Sequence, residues 1–130
     1  MAVSTRFILI SCMVVLVVSI SLAGFFAICS AIGSGVRSVS TEALEGQSGD
    51  RVLALIAFVE SEKHPLKERN RAVWALGRLG DPRALPVLEK YYTGAPCDHE
   101  HALCQGELSK AIRLCKGGTN ITAFFWRRSE

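Results

Sequence analysis

A long uncharged segment near the amino terminus limits the possible folds more than any other feature of the chain. No Asp, Glu, Lys or Arg occurs from Phe7 to Val36, and most of these residues are apolar or small. A helix needs about 20 apolar residues to cross the hydrocarbon core of a bilayer. The sequence therefore predicts one transmembrane helix at about residues 7–32, within an N-terminal segment that spans residues 1–36.

A cleaved secretory signal is the main alternative for this segment. The apolar core of a signal peptide has about 7–15 residues and ends at a site of small residues. The segment is much longer, and its best cleavage candidate, Cys29-Ser30-Ala31, is a poor one. Cys29 is also a poor lipidation site, because Phe26 and Ile28 do not form the usual small-residue box before it. We expect an uncleaved signal-anchor, with cleavage as the open alternative.

The charges give a weak prediction of orientation and exclude one class of partner. Arg6 flanks the apolar segment on one side and Arg37 on the other. We expect the amino terminus to lie in the cytoplasm and the C-terminal domain outside it, which is the periplasmic side in a bacterium. The net charge of +3 is too small for the electrostatic footprint of a nucleic-acid-binding domain.

The segment 37–49 is predicted to be a linker. Ser and Gly are frequent from Gly33 to Gly49, and the apolar residues of this stretch follow no helical period. Such a composition is typical of a flexible connection.

Four helices are predicted after this linker. Apolar residues recur at helical spacing in each segment, and Pro or Gly residues separate the segments. The predicted bounds are about Asp50–Glu62, Leu66–Leu79, Pro82–Tyr92 and Asp98–Lys116.

The tripeptide Gly80-Asp81-Pro82 is the most specific local signal in the sequence. Gly80 can adopt the left-handed conformation that ends a helix. Asp81 can accept amide hydrogen bonds as the N-cap of the next helix, and Pro82 suits its first turn. One helix is therefore expected to end, and the next to begin, within three residues.

The four helices form two similar pairs. Val52 in the first helix corresponds to Ala84 in the third, 32 positions later. Ala72 in the second helix corresponds to Leu108 in the fourth, 36 positions later. A helix pair repeated at this period indicates an α-solenoid.

The stretch R-A-V-W-A-L-G-R-L-G-D-P-R-A-L-P-V-L, residues 71–88, resembles the HEAT-like repeat first described in phycobilisome lyases. The pattern of that family is A-x-x-A-L-G-x-L-G-D-x-x-A-x-P-x-L. The resemblance implies an all-α fold in which antiparallel helix pairs stack, here as two repeats at residues 50–80 and 81–118. It also implies scaffolding or partner binding, whereas a minority of long arrays serve chromophore lyases.

Two repeats are fewer than the three or so that a solenoid usually needs for stability. We therefore expect another element to cover the ends of the repeat domain 50–118. The candidates are the aromatic and basic tail, residues 119–130, the membrane surface, or a partner.

Two interpretations are open for a cluster of Cys and His residues before the fourth helix. Thiolate and imidazole ligands suit zinc, so Cys97, His99, His101 and Cys104 are a possible metal site. Their spacing matches no common zinc motif, however, and a disulfide between Cys97 and Cys104 is favoured if the domain is exported. Cys115 occupies a core position and is predicted to be a buried thiol.

Arg71, Trp74 and Arg78 are the candidate partner-binding residues. They can share the outer side of the second helix, which lines the concave surface in solenoids. Trp and Arg are common in the residues that dominate binding energy at interfaces. The alternative is that Trp74 packs under a neighbouring helix and that the arginines form a solvated face.

No catalytic or phosphate-binding motif occurs in the sequence, so neither an enzyme nor a cofactor is predicted. No small-molecule substrate is indicated either. The expected function is a membrane-anchored protein-interaction module with an unknown protein partner. The alternatives are a redox- or metal-responsive regulatory protein and an accessory subunit of a lyase-type enzyme.

Overall fold

The computed structural model describes residues 5–45 and 49–127, and within these ranges all regular structure is helical. The predicted all-α fold class is therefore confirmed. The elements are α1 (Thr5–Ala43), α2 (Arg51–Glu60), α3 (Leu66–Leu79), a 3₁₀ turn (Pro82–Ala84) that leads into α4 (Leu85–Tyr91), α5 (Gln105–Cys115) and α6 (Ile121–Trp126).

The ends of α2, α3 and α4 follow the local chemistry of the sequence. The Asp50 carboxylate accepts a hydrogen bond of 2.9 Å from the backbone N–H of Val52 and caps α2. Gly80 ends α3 with a φ of 64°, in the left-handed region that favours glycine. Asp81 then accepts from the backbone N–H of Arg83 at 2.9 Å, so the predicted turn between these helices is confirmed.

The two helix pairs, α2–α3 and α4–α5, pack side by side, and most of their interface lies between α3 and α5. Gly77 permits this close approach, because a Cβ atom at this position would lie 2.8 Å from the Cα of Ala111. Outside the core, Arg83 forms ion pairs with both N-cap carboxylates, Asp50 and Asp81. The same type of capping residue is thus present in both repeats, and one guanidinium joins them.

The predicted linker at residues 37–49 is wrong over most of its length, because α1 continues without a break to Ala43. Residues 46–48 of that prediction lie outside the described residues. The second part of α1 packs on α2 and α3, and it buries Val36, Val39 and Ser40.

The small residues of this part serve close packing and give no flexibility. A Cβ on Gly33 would lie 2.8 Å from the Cβ of Trp126, and one on Gly35 would lie 3.2 Å from the Trp74 ring. The Ser40 hydroxyl donates to the backbone carbonyl of Val36 at 2.8 Å, so a buried polar group is satisfied within the helix.

The last repeat helix was predicted to begin near Asp98, but α5 begins at Gln105. The Asp98 carboxylate accepts backbone hydrogen bonds from Glu100 at 3.1 Å and from His101 at 3.2 Å. Such local bonds stabilise a turn at the expense of a helix. Cys104 is consequently the residue before α5 and does not lie on the core face of a helix.

The tail, residues 119–130, contains a short docked helix. The last three residues of this tail, 128–130, lie outside the described residues, and they include Arg128. Trp126 of α6 is buried against α1, with 3% of its surface exposed. Asn120 and Arg127 both donate to the backbone carbonyl of Arg78 at the end of α3, at 3.2 and 2.8 Å. Thus α1 covers the first helix pair, and α6 connects the end of α3 to α1.

Candidate functional site

The first part of α1 is a candidate membrane-facing surface. Among the described residues, α1 is the one helix long and apolar enough to cross a membrane, judged by length and composition alone. Core helices of soluble proteins pass the same test but are mostly buried, whereas the most apolar stretch of α1 is 0% buried. Its Leu, Ile, Val, Met and Phe side chains are largely exposed from Phe7 to Ile28.

Four phenylalanine rings meet where this exposed part of α1 ends. The Phe125 ring of α6 lies 5.2 Å from Phe25 and 5.6 Å from Phe26, both edge to face. Phe124 lies 5.5 Å from Phe125 and is exposed. The tail helix therefore docks at the boundary between the exposed and the buried parts of α1.

The structure places the predicted binding residues of α3 beside α1. Arg71, 51% exposed, lies 3.9 Å from the Glu42 carboxylate at the end of α1. Trp74 is partly buried, and one edge of its ring packs against Gly35. The Arg78 guanidinium lies 5.7 Å from the centre of the Trp74 ring. Packing under a neighbouring helix thus covers one edge of this tryptophan.

The other side of Trp74 lines a groove between α3, α5 and the start of α6. Its volume is about 240 Å³. Three cations line it, Arg78, Lys110 and Arg113, together with a single carboxylate, Glu107. Lys110 pairs with that carboxylate at 2.9 Å, so the groove keeps an excess of positive charge. We refer to this feature as the basic groove.

Sequence reasoning missed the α5 side of the basic groove, although the repeat contained a signal for it. At the shift of 36 positions that relates α3 to α5, Lys110 corresponds to Trp74 and Arg113 to Gly77. Both cations that line the groove from α5 are therefore the repeat equivalents of groove residues on α3.

The Cys and His cluster forms only in part. The Sγ atoms of Cys97 and Cys104 lie 3.2 Å apart. A ring nitrogen of His99 lies within 4.8 Å of both sulfur atoms. His101 points elsewhere, because its Nδ1 lies 3.0 Å from the carboxylate of Asp98. The structure thus brings three of the four candidate metal ligands together.

Hydrogen bonds to the first turn of α5 shape the environment of the Cys97 thiol. The backbone N–H of Gly106 donates to its Sγ at 3.2 Å. This bond and the hydrogen bond with Cys104 hold the pKa of Cys97 below its usual value, because they stabilise the thiolate.

The loop that carries these residues is fixed to the repeats. The Gln105 side chain accepts from the backbone N–H of Thr93 at 2.8 Å and donates to the carbonyl of Tyr91 at 3.2 Å. Asn70 of α3 accepts from the backbone N–H of Cys104 at 2.8 Å. Side chains of both repeats therefore position the thiol cluster.

Cys115 differs from this pair, as the sequence predicted. It is 2% exposed and its Sγ lies 3.6 Å from the carbonyl of Leu76. Burial raises its pKa to about 11, because the thiolate would lose its hydration. This thiol is structural and unreactive.

Comparison with known families agrees with this architecture. Residues 68–93 match the family model described as PBS lyase HEAT-like repeat. The matched segment comprises most of α3, the turn at Gly80 and all of α4. The chain therefore contains a HEAT-like repeat at these residues. No curated protein and no solved structure matches it.

Proposed function

We propose that this protein is a membrane-anchored protein-interaction module that binds an acidic segment of a partner protein in its basic groove. The observation that carries the proposal is the groove itself, in which three cations flank the partly buried Trp74. The proposal includes no catalytic step.

The length and the surface of α1 support the anchor. The exposed part from Phe7 to Ile28 is about 33 Å long at roughly 1.5 Å per residue, close to the ~30 Å of a hydrocarbon core. The same helix enters the packed core without a break, and Cys29, the first residue of the best cleavage candidate, is buried. Removal of the segment at that site would also separate the four clustered phenylalanines. These features favour an uncleaved anchor that holds the domain at the membrane surface. The flanking charges of α1 are the basis for proposing that the domain lies outside the cytoplasm.

The composition of the groove supports an acidic protein segment as its occupant. An aromatic ring beside arginines is typical of the residues that dominate binding energy at interfaces. Complementary charge on the partner would raise the association rate and select against basic segments. A neutral segment rich in Gln, Asn or Ser would have no negative charge to pair with these cations.

The experiment uses the full chain in detergent micelles and a fluorescent peptide that contains alternating Asp and Leu residues. We expect binding that weakens as salt is raised, and no comparable binding of a peptide with Lys in place of Asp. The double substitution Lys110→Glu and Arg113→Glu should lower the affinity about tenfold or more, because it reverses two charges in the groove.

The matched control is Lys63→Glu with Lys67→Glu, which makes the same charge change at exposed positions outside the groove. It should change the affinity less than about twofold, since screened charges farther away contribute little. Equal losses in the two double variants, or equal binding of the acidic and basic peptides, would contradict the groove as the binding site.

A further inference from the structure

We propose that Cys97 and Cys104 form a reversible disulfide that fastens the loop 92–104 to the start of α5. The two sulfur atoms are in contact, both residues are accessible at least in part, and the loop between them is already folded. This site is separate from the basic groove, and the proposal does not depend on the proposed function.

The distance between the sulfur atoms is compatible with a disulfide and also with two ligands of a metal ion. They lie 3.2 Å apart, and a bond requires about 2.05 Å. Two sulfur ligands on a tetrahedral zinc ion, each about 2.3 Å from the metal, would lie about 3.8 Å apart. The observed separation lies between the two values, so the other ligands decide between a disulfide and a metal ion.

The remaining ligands favour a disulfide. The described residues offer three donors, whereas structural zinc sites use four protein ligands. A metal-bound imidazole is usually oriented by a carboxylate or carbonyl. Asp98, one of the two carboxylates of this loop, faces His101 and not His99, the third donor of the cluster.

The hydrogen bonds of the site assign different roles to the two thiols. Cys97 receives the N–H of Gly106 at 3.2 Å, which favours its thiolate, the nucleophilic form. It is also the exposed member of the pair, whereas Cys104 is partly buried. Cys97 is therefore the attacking thiol and Cys104 the resolving thiol.

The oxidant is a protein or small-molecule disulfide. The thiolate of Cys97 attacks one of its sulfur atoms, the S–S bond of the oxidant breaks, and the departing thiolate takes up a proton. Cys104 loses its proton, and its thiolate attacks Sγ of Cys97 and displaces the second thiol of the oxidant. Two protein thiols are oxidised by two electrons, and one disulfide of the oxidant is reduced to two thiols.

The test is a mass measurement on the full chain treated with glutathione disulfide and then with an alkylating reagent under denaturing conditions. The tryptic peptide 91–110 contains both cysteines and no internal Lys or Arg. We expect it to lack two hydrogens and to carry no alkyl group, and to gain two alkyl groups after reduction. Cys115 is the internal control, because it should be alkylated with or without reduction.

A thermal measurement gives an independent result. Oxidation should raise the Tm of the protein by roughly 5 °C, because the cross-link restricts the unfolded chain. Cys97→Ser and Cys104→Ser should each abolish the rise, whereas Cys12→Ser should retain it.

Two outcomes would overturn the proposal. One is complete alkylation of both thiols in the oxidant-treated protein. The other is protein that contains one zinc ion per chain and whose thiols react only after a chelator is added. The second outcome would assign the cluster to a metal.

Discussion

The two parts of α1 belong to one unbroken helix but differ in composition and in surroundings. From Phe7 to Ile28 the side chains are large, apolar and mostly exposed. From Cys29 to Ala43 many are small, and those that face α2, α3 and α6 are buried. The more hydrophobic part is therefore the part that the protein leaves uncovered.

This difference shows that burial along α1 follows shape more than hydrophobicity. The Gly and Ser residues of the second part allow other helices to approach closely, and Val36 and Val39 supply the apolar contacts. The first part has no such partner among the described residues. Apolar surface of that extent is costly in water, so we expect a membrane or another protein to cover it. A bilayer is the cover that we propose.

The largest predicted effect is the loss of membrane association when charges are introduced into the exposed part of α1. In the double variant Leu16→Arg and Ile20→Arg, both new charges lie on one face near the middle of the segment. Each should oppose membrane insertion by about 2.5–3.5 kcal/mol. We expect the variant to be released from membranes by an alkaline carbonate wash that leaves the natural sequence in the pellet.

The control for this prediction puts the same two charges on exposed positions of the repeats, as Ala57→Arg and Ser109→Arg. This variant should stay in the pellet. If the α1 variant remains there as well, the exposed part of α1 does not hold the protein in the membrane.

A smaller effect compares two glycines of the same helix. Gly33→Ala should destabilise the docked tail by about 1–3 kcal/mol, because the added methyl group collides with the Cβ of Trp126. Gly24→Ala should be neutral or slightly stabilising. Nothing lies within 4 Å of a Cβ at that position, and alanine favours a helix by about 1 kcal/mol.

The measurement is thermal unfolding in detergent, followed by tryptophan fluorescence. The prediction fails if both glycine variants shift the Tm in the same direction and by a similar amount. That result would mean that the two parts of α1 do not differ in packing.

The elements that the sequence predicted well are those whose bounds depend on neighbouring residues. The bounds of α3, Leu66 and Leu79, agree with the prediction, since Pro65 precedes the helix and Gly80 follows it. The Gly80-Asp81-Pro82 turn is also local, because its conformation and its hydrogen bonds come from the same few residues.

The elements that the sequence did not predict depend on distant contacts. Gly33 and Gly35 are poor helix formers, and their helical state depends on packing against Trp126 and Trp74. No local pattern in a Gly- and Ser-rich segment indicates those two rings. The late start of α5 has a similar origin in part, since the Gln105 side chain bonds to the backbone of Thr93 and Tyr91 in addition to the local bonds of Asp98.

The candidate sites show the same distinction. The approach of Cys97 to Cys104 was predicted, because few residues separate them. The exclusion of His101 is an exception to this distinction, because it follows from a local bond between its ring and Asp98 and was nevertheless not predicted. The basic groove requires α3 and α5 to be side by side, and the repeat predicted that arrangement without indicating which side chains would line it.

The smallest expected effect is a pH dependence of stability. It arises in the repeats, because the exposed part of α1 contains no acidic group. Hydrogen bonds from Arg83 hold the pKa values of Asp50 and Asp81 below the usual 3.8. A carboxylate with a lowered folded-state pKa stabilises the fold above its unfolded value. This stabilisation is lost as the pH falls below about 3.8, through the folded-state pKa values.

The double variant Asp50→Asn and Asp81→Asn should therefore show a smaller fall in Tm between pH 5 and pH 2 than the natural sequence does. Asparagine is as good an N-cap as aspartate, so the ends of α2 and α4 should persist. Glu62→Gln is the control, because it removes one exposed carboxylate outside this cluster. An unchanged acid response in the double variant would show that Arg83 does not couple the two caps. The same response in Glu62→Gln and in the double variant would assign the pH dependence to net charge.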